Sequence, residues 1–251
     1  MRYFFAFLIG ALLSAQTIAQ VKKNTPVTAK PATATVKKTA TTPALKPATA
    51  EKETLVEITT DYGIMVAKLY NQTPLHRDNF IKLVKQGFYD SLLFHRVIKG
   101  FMIQGGDPDS KYAAPDAMVG AGSAPGNRVP AEFKNNFLHK KGALAAARDG
   151  NPEKASSNCQ FYIVQGKTYD TAQLKQVYNQ AVKSNNPGFT YTKAQQEIYE
   201  RIGGAPFLDQ NYTVFGEVIS GLDVIDKIAS MQTAQGDRPL KDIRMKVRLI
   251  N

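Results

Sequence analysis

The sequence predicts a mainly β fold, a closed sheet or a sandwich of short strands with a few helices around it. Short apolar runs of strand length are separated by Gly- and Pro-rich loops. These runs span residues 92–98, 101–104, 143–147, 161–164 and 212–218. A hairpin precedes them, and a segment that alternates apolar and basic residues follows them, as expected for strands with one buried face.

The hairpin and the first helix carry turn and capping residues. Residues 55–59 and 64–70 are predicted strands, and Asp61-Tyr62-Gly63 is the turn between them. Thr73 is the predicted N-cap of a helix with Pro74 at its first position. Gly87 is predicted to end that helix.

The second half of the chain contains an interruption in the strand pattern. Residues 171–184 and 192–202 are polar and helical in character, and an Asn-Asn-Pro-Gly turn joins them. We therefore predict a helical hairpin inserted at about residues 168–205. A helix at 222–230 and a last strand at 243–249 follow, with the apolar residues of that strand facing inward and Arg244, Lys246 and Arg248 facing solvent.

The first fifty residues differ in composition from the rest of the chain. Residues 1–19 have one Arg, an apolar run and then small residues, which is typical of a signal peptide. An uncleaved membrane anchor is the alternative. Residues 20–53 are rich in Lys, Thr, Ala and Pro without aromatic residues, which predicts a disordered linker. The expected location is therefore the bacterial periplasm or another exported compartment, with residues 54–251 as the folded domain.

Composition excludes several classes of function. The net charge is +11, but the linker alone holds seven Lys and two Glu, so the folded part is only mildly basic. Basic residues interleaved with aromatics on one face, as nucleic-acid binding requires, are not evident. The single cysteine, Cys159, cannot form an intramolecular disulfide, and the three histidines lack the spacing of metal ligands.

The segment of residues 94–107, FHRVIKGFMIQGGD, contains the most informative pattern in the chain. Arg96 lies within a run of large apolar residues, where loss of solvation makes a guanidinium costly unless it has a partner or a function. From this pattern alone, a structural ion pair and a functional role are both open. His95 lies beside it, and we assign no proton transfer to His95.

This segment resembles the signature of the cyclophilin family. The resemblance extends to residues 142–148, 156–163 and 207–218, and it covers 54–251 apart from the helical insertion. It implies a closed eight-stranded antiparallel barrel capped by helices, with the inserted hairpin on its outside. It further implies a monomeric peptidyl-prolyl cis/trans isomerase, or rotamase, that assists protein folding without a metal or a cofactor.

The resemblance also implies a substrate groove on the outside of the barrel. Its predicted residues are Arg96, Phe101, Met102, Gln104, Ala147, Gln160, Tyr162, Phe207, Leu208 and Tyr212. Arg96 is the expected catalytic donor to the prolyl nitrogen and Gln104 orients it, while the other eight bind substrate. Tyr162, Phe207 and Tyr212 replace the Phe, Trp and His of the better-known relatives, so weak binding of cyclosporin is expected.

Three functional hypotheses follow. The first is an isomerase that acts on Pro-containing segments of exported proteins. The second is a non-catalytic chaperone module that binds Pro-containing peptides, and the third is a surface tether in which the basic linker is the functional part. Retention of Arg96, Phe101 and Gln104 favours the first.

Overall fold

A computed structural model describes residues 52–250, and the predicted signal peptide and nearly all of the predicted linker lie outside the described residues. Eight strands form one sheet. They are β1 (Thr54–Thr60), β2 (Gly63–Leu69), β3 (Arg96–Ile98), β4 (Met102–Gly105), β5 (Ala143–Ala146), β6 (Phe161–Val164), β7 (Val214–Ser220) and β8 (Lys246–Ile250). The mainly β fold predicted from the sequence is therefore confirmed.

The sheet is antiparallel throughout and curls upon itself. Its strand order is β3-β4-β6-β5-β7-β2-β1-β8. The outer strands β3 and β8 do not pair with each other directly. The segments before them do, because the amide of Phe94 donates to the carbonyl of Ile243 and that of Met245 donates to the carbonyl of Leu92, each at 2.9 Å. The barrel thus closes through short irregular segments.

The described helices surround this sheet. They are α1 (Pro74–Lys85), α2 (Thr171–Val177), α3 (Lys183–Asn185), α4 (Lys193–Arg201) and α5 (Leu222–Ala229), and a π-helical turn (Tyr178–Val182) joins α2 to α3. No helix within residues 52–250 has the length and apolarity needed to cross a membrane.

Alternation along the strands separates two apolar clusters. Phe161 and Ile163 of β6 belong to the inner core, which fills the barrel together with α1 and α5. Tyr162 and Val164 of the same strand belong to a second cluster on the outer face of the sheet. Alternation along β6 therefore places the side chains of the candidate groove on the outside of the barrel.

Helix α1 begins where the sequence predicts, but its cap differs from the prediction. Thr73 makes no side-chain capping bond, and its hydroxyl donates to the carbonyl of Tyr70 at 3.3 Å. The carboxylate of Glu132 instead accepts from the amides of Leu75 and His76, at 3.1 and 2.9 Å. A carboxylate suits this position because the first amides of a helix lack partners within the helix.

The inserted hairpin has its own small core and a narrow connection to the barrel. Buried side chains of the insertion pack together with Leu138. Both α2 and α4 begin with a reciprocal capping box, formed by Asp170 with Gln173 and by Thr192 with Gln195. The two ends of the insertion meet through backbone hydrogen bonds between Lys167 and Gly204. A Cβ on Gly204 would collide with the backbone carbonyl of His139, so glycine is required at this crossing.

Candidate active site

A cavity of about 360 Å³ opens on the outer face of the sheet, where β3, β4 and β6 lie side by side. Eight of the ten predicted site residues line it. They are Arg96, Phe101, Met102, Gln104, Ala147, Tyr162, Leu208 and Tyr212. The other two lie next to it: Gln160 lines an adjoining cavity of about 570 Å³, and Phe207 packs on Phe101 with ring centroids 5.3 Å apart.

Strand register brings the polar side of the cavity together. Arg96 of β3 pairs with Gln104 of β4, and Gln104 pairs in turn with Tyr162 of β6. Side chains at directly paired positions lie on the same face of a sheet and within contact distance. A one-residue slip would turn Gln104 into the core, so register decides whether the site exists.

Arg96 has two anchors. Its Nε donates to Oδ2 of Asp237 at 3.2 Å, and its Nη1 lies 3.5 Å from Oε1 of Gln104. The side chains of Arg96 and Asp237 are 42% and 43% exposed, so water screens this ion pair. Arg96 has no further hydrogen-bond partner among residues 52–250, and its remaining N–H groups are therefore available to a ligand in the cavity.

A chain of amides sets the orientation of Gln104. Its Nε2 donates to Oε1 of Gln160 at 3.1 Å, and Nε2 of Gln160 donates to the carbonyls of Gly120 and Gly122, both at 2.9 Å. Because carbonyls only accept, each amide in the chain has one consistent orientation. The carbonyl oxygen of Gln104 is thereby turned toward Arg96.

The floor of the cavity is apolar except for one hydroxyl. Met102, Tyr162 and Leu208 are 1%, 5% and 8% exposed, and they belong to the outer apolar cluster. Burial raises the pKa of Tyr162 well above its ordinary value, so the phenol stays protonated. Its hydroxyl lies 3.0 Å from Nε2 of His139 and thus has the partner that a buried hydroxyl requires.

Arg148 forms a second cationic part of the wall. Its guanidinium lies over the ring of Tyr212, 4.6 Å from the centroid, in cation–π geometry. Nη2 of Arg148 donates to Oδ1 of Asn211 at 2.8 Å. This stacking holds Tyr212 against the cavity, at the position where the sequence predicts a substrate contact.

His95 lies behind Arg96 and is 3% exposed. Burial lowers the pKa of its imidazole to about 4; the neighbouring charges of Arg96 and Arg238 lower it as well, while Asp107 acts in the opposite direction. The ring is therefore neutral near pH 7. A neutral ring next to Arg96 adds no competing positive charge.

The sequence did not point to Asp237 or to the pairing of Arg148 with Tyr212. Asp237 lies 141 positions after Arg96, on a 3₁₀ turn (Gln235–Asp237) in which Asp237 has a φ of 62°. Side-chain bonds from Arg238 to the carbonyls of Ala114 and Ala117 hold this loop in place. The flanking Gly236 was the only local signal, since glycine commonly marks a turn.

Comparison with known proteins agrees with this geometry. The family model for cyclophilin type peptidyl-prolyl cis-trans isomerases matches residues 55–248. A Staphylococcus aureus (strain USA300) protein named as a peptidyl-prolyl cis-trans isomerase is 34% identical over 202 residues, which cover 80% of this chain and 93% of that protein. A Staphylococcus saprophyticus protein of the same name is 34% identical over 185 residues, 73% of this chain and 85% of that protein.

Solved structures give the same fold. A cyclophilin type isomerase from Cryptosporidium parvum superposes with a TM-score of 0.59 at 22% identity, over 80% of this chain and 99% of that one. A second structure of that protein, determined in the presence of the dipeptide Ala-Pro, gives a TM-score of 0.57 over 78% of this chain and 99% of that one. The matched family model, the curated relatives and the shared fold establish that this chain belongs to the cyclophilin family and is a cyclophilin-type peptidyl-prolyl cis-trans isomerase.

Proposed function

We propose that the cavity binds the proline of a peptide and that Arg96 speeds isomerisation by donating to the prolyl nitrogen. The X–Pro bond resists rotation by about 18–20 kcal/mol because its C–N bond has partial double-bond character. Rotation breaks that conjugation and localises a lone pair on the nitrogen. A donor aimed at this lone pair stabilises the twisted transition state more than the planar ground state, and such differential binding lowers the barrier.

The position of Arg96 at the edge of the apolar floor carries this proposal. Met102, Tyr162 and Leu208 form a surface suited to a proline ring, and Arg96 and Gln104 line the same cavity. A ring held there places its nitrogen beside the guanidinium while the preceding carbonyl is free to rotate. Arginine stays protonated at all physiological pH values, so the donor needs no base and no cofactor.

A proline-peptide isomerisation assay on the full chain tests the mechanism. Arg96→Ala is expected to lower kcat/KM by about 10²–10³, the usual cost of losing one preorganised donor to a transition state. Arg244→Ala is the matched control, because Arg244 has nearly the same exposure, 41% against 42%, and also pairs with one carboxylate, that of Asp242. Equal activity in wild type and Arg96→Ala would contradict the mechanism.

The same assay tests the alternative of a non-catalytic module that binds Pro-containing peptides. Such a module would bind the peptide without accelerating its isomerisation, and Arg96→Ala would change affinity alone. The family assignment and the cavity that contains both Arg96 and Gln104 favour catalysis.

We further propose that the substrates are exported proteins. Support comes from the sequence of residues 1–19, which combines a positive start, an apolar run and small residues. Mass spectrometry of the protein recovered from the periplasm or cell envelope is expected to find an N-terminus after Ala15 or Ala19. Recovery of the uncleaved chain from the cytoplasm would contradict export.

A further inference from the structure

A buried hydrogen-bonded chain connects the inserted hairpin to the floor of the cavity. The hydroxyl of Tyr162 lies 3.0 Å from Nε2 of His139, and Nδ1 of His139 lies 2.8 Å from Oδ1 of Asp209. The other carboxylate oxygen of Asp209 accepts from the hydroxyls of Tyr191 and Tyr199, at 2.6 and 2.5 Å. Both tyrosines belong to the insertion, so the chain runs from the insertion into the cavity floor.

Every link of this chain is directional. The Asp209 oxygen at Nδ1 is an acceptor, which assigns the proton of that hydrogen bond to Nδ1 of His139 and leaves Nε2 facing the Tyr162 hydroxyl. Burial, followed by the charge of Asp209, raises the pKa of Tyr191 and of Tyr199, so both phenols donate. His139, Asp209 and Tyr199 are each 0% exposed, so bulk water does not reach these three groups and each depends on its partners within the protein.

The same carboxylate also fixes a second wall of the cavity. Asp209 directly follows the 3₁₀ turn Pro206–Leu208, which presents Phe207 and Leu208. The insertion packs behind this turn, where the Tyr191 hydroxyl that donates to Asp209 also lies 3.3 Å from the carbonyl oxygen of Pro206. The carboxylate of Asp209 thus contacts the residues that support both the floor of the cavity and its adjoining wall.

A purely apolar floor would need none of these partners. The hydroxyl of Tyr162 requires one, and that requirement ties the ring orientation to His139 and Asp209. The ring of Tyr162 also meets Tyr212 edge to face, with centroids 6.1 Å apart, so a tilt of Tyr162 would disturb the opposite wall as well.

We propose that the inserted hairpin is a positioning element for the proline pocket, acting through Asp209 and His139 on Tyr162. This role rests on the proposed function, in which Tyr162 forms the floor under the proline ring. His139 and Asp209 are positioning residues, because they act on the substrate only through the orientation of Tyr162 and of the 206–208 turn.

The test removes only hydroxyl groups, in the full chain. Tyr191→Phe with Tyr199→Phe deletes both hydroxyl donors to Oδ2 of Asp209, keeps the aromatic packing and leaves the two His139 donors to Oδ1 in place. Tyr178→Phe is the matched control, because the Tyr178 hydroxyl donates to the carbonyl of Phe189 at 2.8 Å within the same insertion and does not contact Asp209. We expect the double variant to raise KM, and the dissociation constant of a Pro-containing peptide, about three- to tenfold, the range expected when a hydrogen-bonded contact is lost.

The division between KM and kcat separates positioning from simple loss of folded protein. A smaller folded fraction lowers the apparent kcat and leaves KM unchanged, whereas a displaced floor weakens binding in ground state and transition state alike and raises KM. Tyr178→Phe is expected to keep the wild-type KM. A double variant with wild-type KM and peptide affinity would overturn the proposal.

A second arm tests the route through Tyr162. In a Tyr162→Phe background the route through Tyr162 is already cut, so removal of the Tyr191 and Tyr199 hydroxyls should weaken peptide affinity clearly less than in the wild-type background, through the 206–208 turn alone. Full additivity of the two changes would overturn the proposal. Peptide affinity is measured without turnover, so this arm stays decisive even if Arg96→Ala retains wild-type activity and the proposed mechanism fails.

Discussion

Acidification from about pH 7 to about pH 5 is expected to cost the native state about 2 kcal/mol through the side chain of His95 alone. The pKa of this imidazole is about 4 in the folded protein, against an ordinary value of 6.5. Burial is the main cause, and the charges of Arg96 and Arg238 add to it while Asp107 opposes it. As the pH falls below 6.5, His95 becomes protonated in the unfolded chain while it stays neutral in the folded chain. The free energy of unfolding therefore decreases.

The magnitude follows from the size of the pKa difference. Near pH 7 the ring is neutral in both states and contributes almost nothing. The loss grows steadily as the pH falls and levels off at about 3 kcal/mol below the folded pKa, where the folded protein is protonated as well. His76 also has a pKa that burial lowers, so it adds to the acid sensitivity of the wild-type chain.

Urea unfolding of wild type and His95→Gln at several pH values isolates the contribution of His95. Glutamine is polar and does not titrate, so the stability difference between the two chains should shift by about 2 kcal/mol between pH 7 and pH 5 in favour of the variant. The contribution of His76 is common to both chains and cancels. Parallel pH curves for the two chains would refute the reasoning. Histidine NMR supplies a direct check, since only three histidines are present and the His95 ring should not titrate above about pH 5.

The other predictions concern the ion pair of Arg96, the linker and inhibition. Asp237→Asn should change kcat/KM by less than about fivefold, because an ion pair this exposed contributes at most about 1 kcal/mol; a loss as large as that of Arg96→Ala would show that Asp237 itself is essential. Deletion of residues 20–53 should leave kcat/KM unchanged in the isomerisation assay, because the cavity is lined by residues between His95 and Gly236; a large loss would contradict this expectation. Cyclosporin is expected to inhibit only above about micromolar concentration, and Phe207→Trp should strengthen inhibition by supplying an indole donor; sub-micromolar inhibition of the wild-type chain would contradict this.

Local sequence patterns predicted most of the secondary structure. The hairpin of β1 and β2, helices α1 and α5, and the helical insertion form within a few residues of the predicted positions. These elements depend on neighbouring residues: a turn at Asp61-Tyr62-Gly63, a proline at the first helical position and a strict apolar alternation. The predicted strand at 92–98 is shorter than expected, because only Arg96–Ile98 pairs regularly with β4 while residues before it close the barrel irregularly.

The residues of the candidate site were predicted less completely than the strands and helices. The segments that resemble the family supplied ten positions, and eight of them line one cavity, in which the register of β3, β4 and β6 aligns Arg96, Gln104 and Tyr162. Gln160 and Phe207 lie just beyond it and support Gln104 and Phe101. The roles of all ten in catalysis and binding stay predictions until the variants are assayed.

The sequence by itself determined most of the strand and helix pattern, and it pointed to the family and to Arg96 as the expected donor. The tertiary structure alone decided which distant groups complete the site. Asp237 reaches Arg96 across 141 positions, Glu132 caps α1 in place of Thr73, and Asp209 joins the insertion to Tyr162 through His139. Backbone patterns are set by neighbours along the chain, whereas each of these contacts satisfies a polar or charged group that folding brings close to a partner far away in sequence.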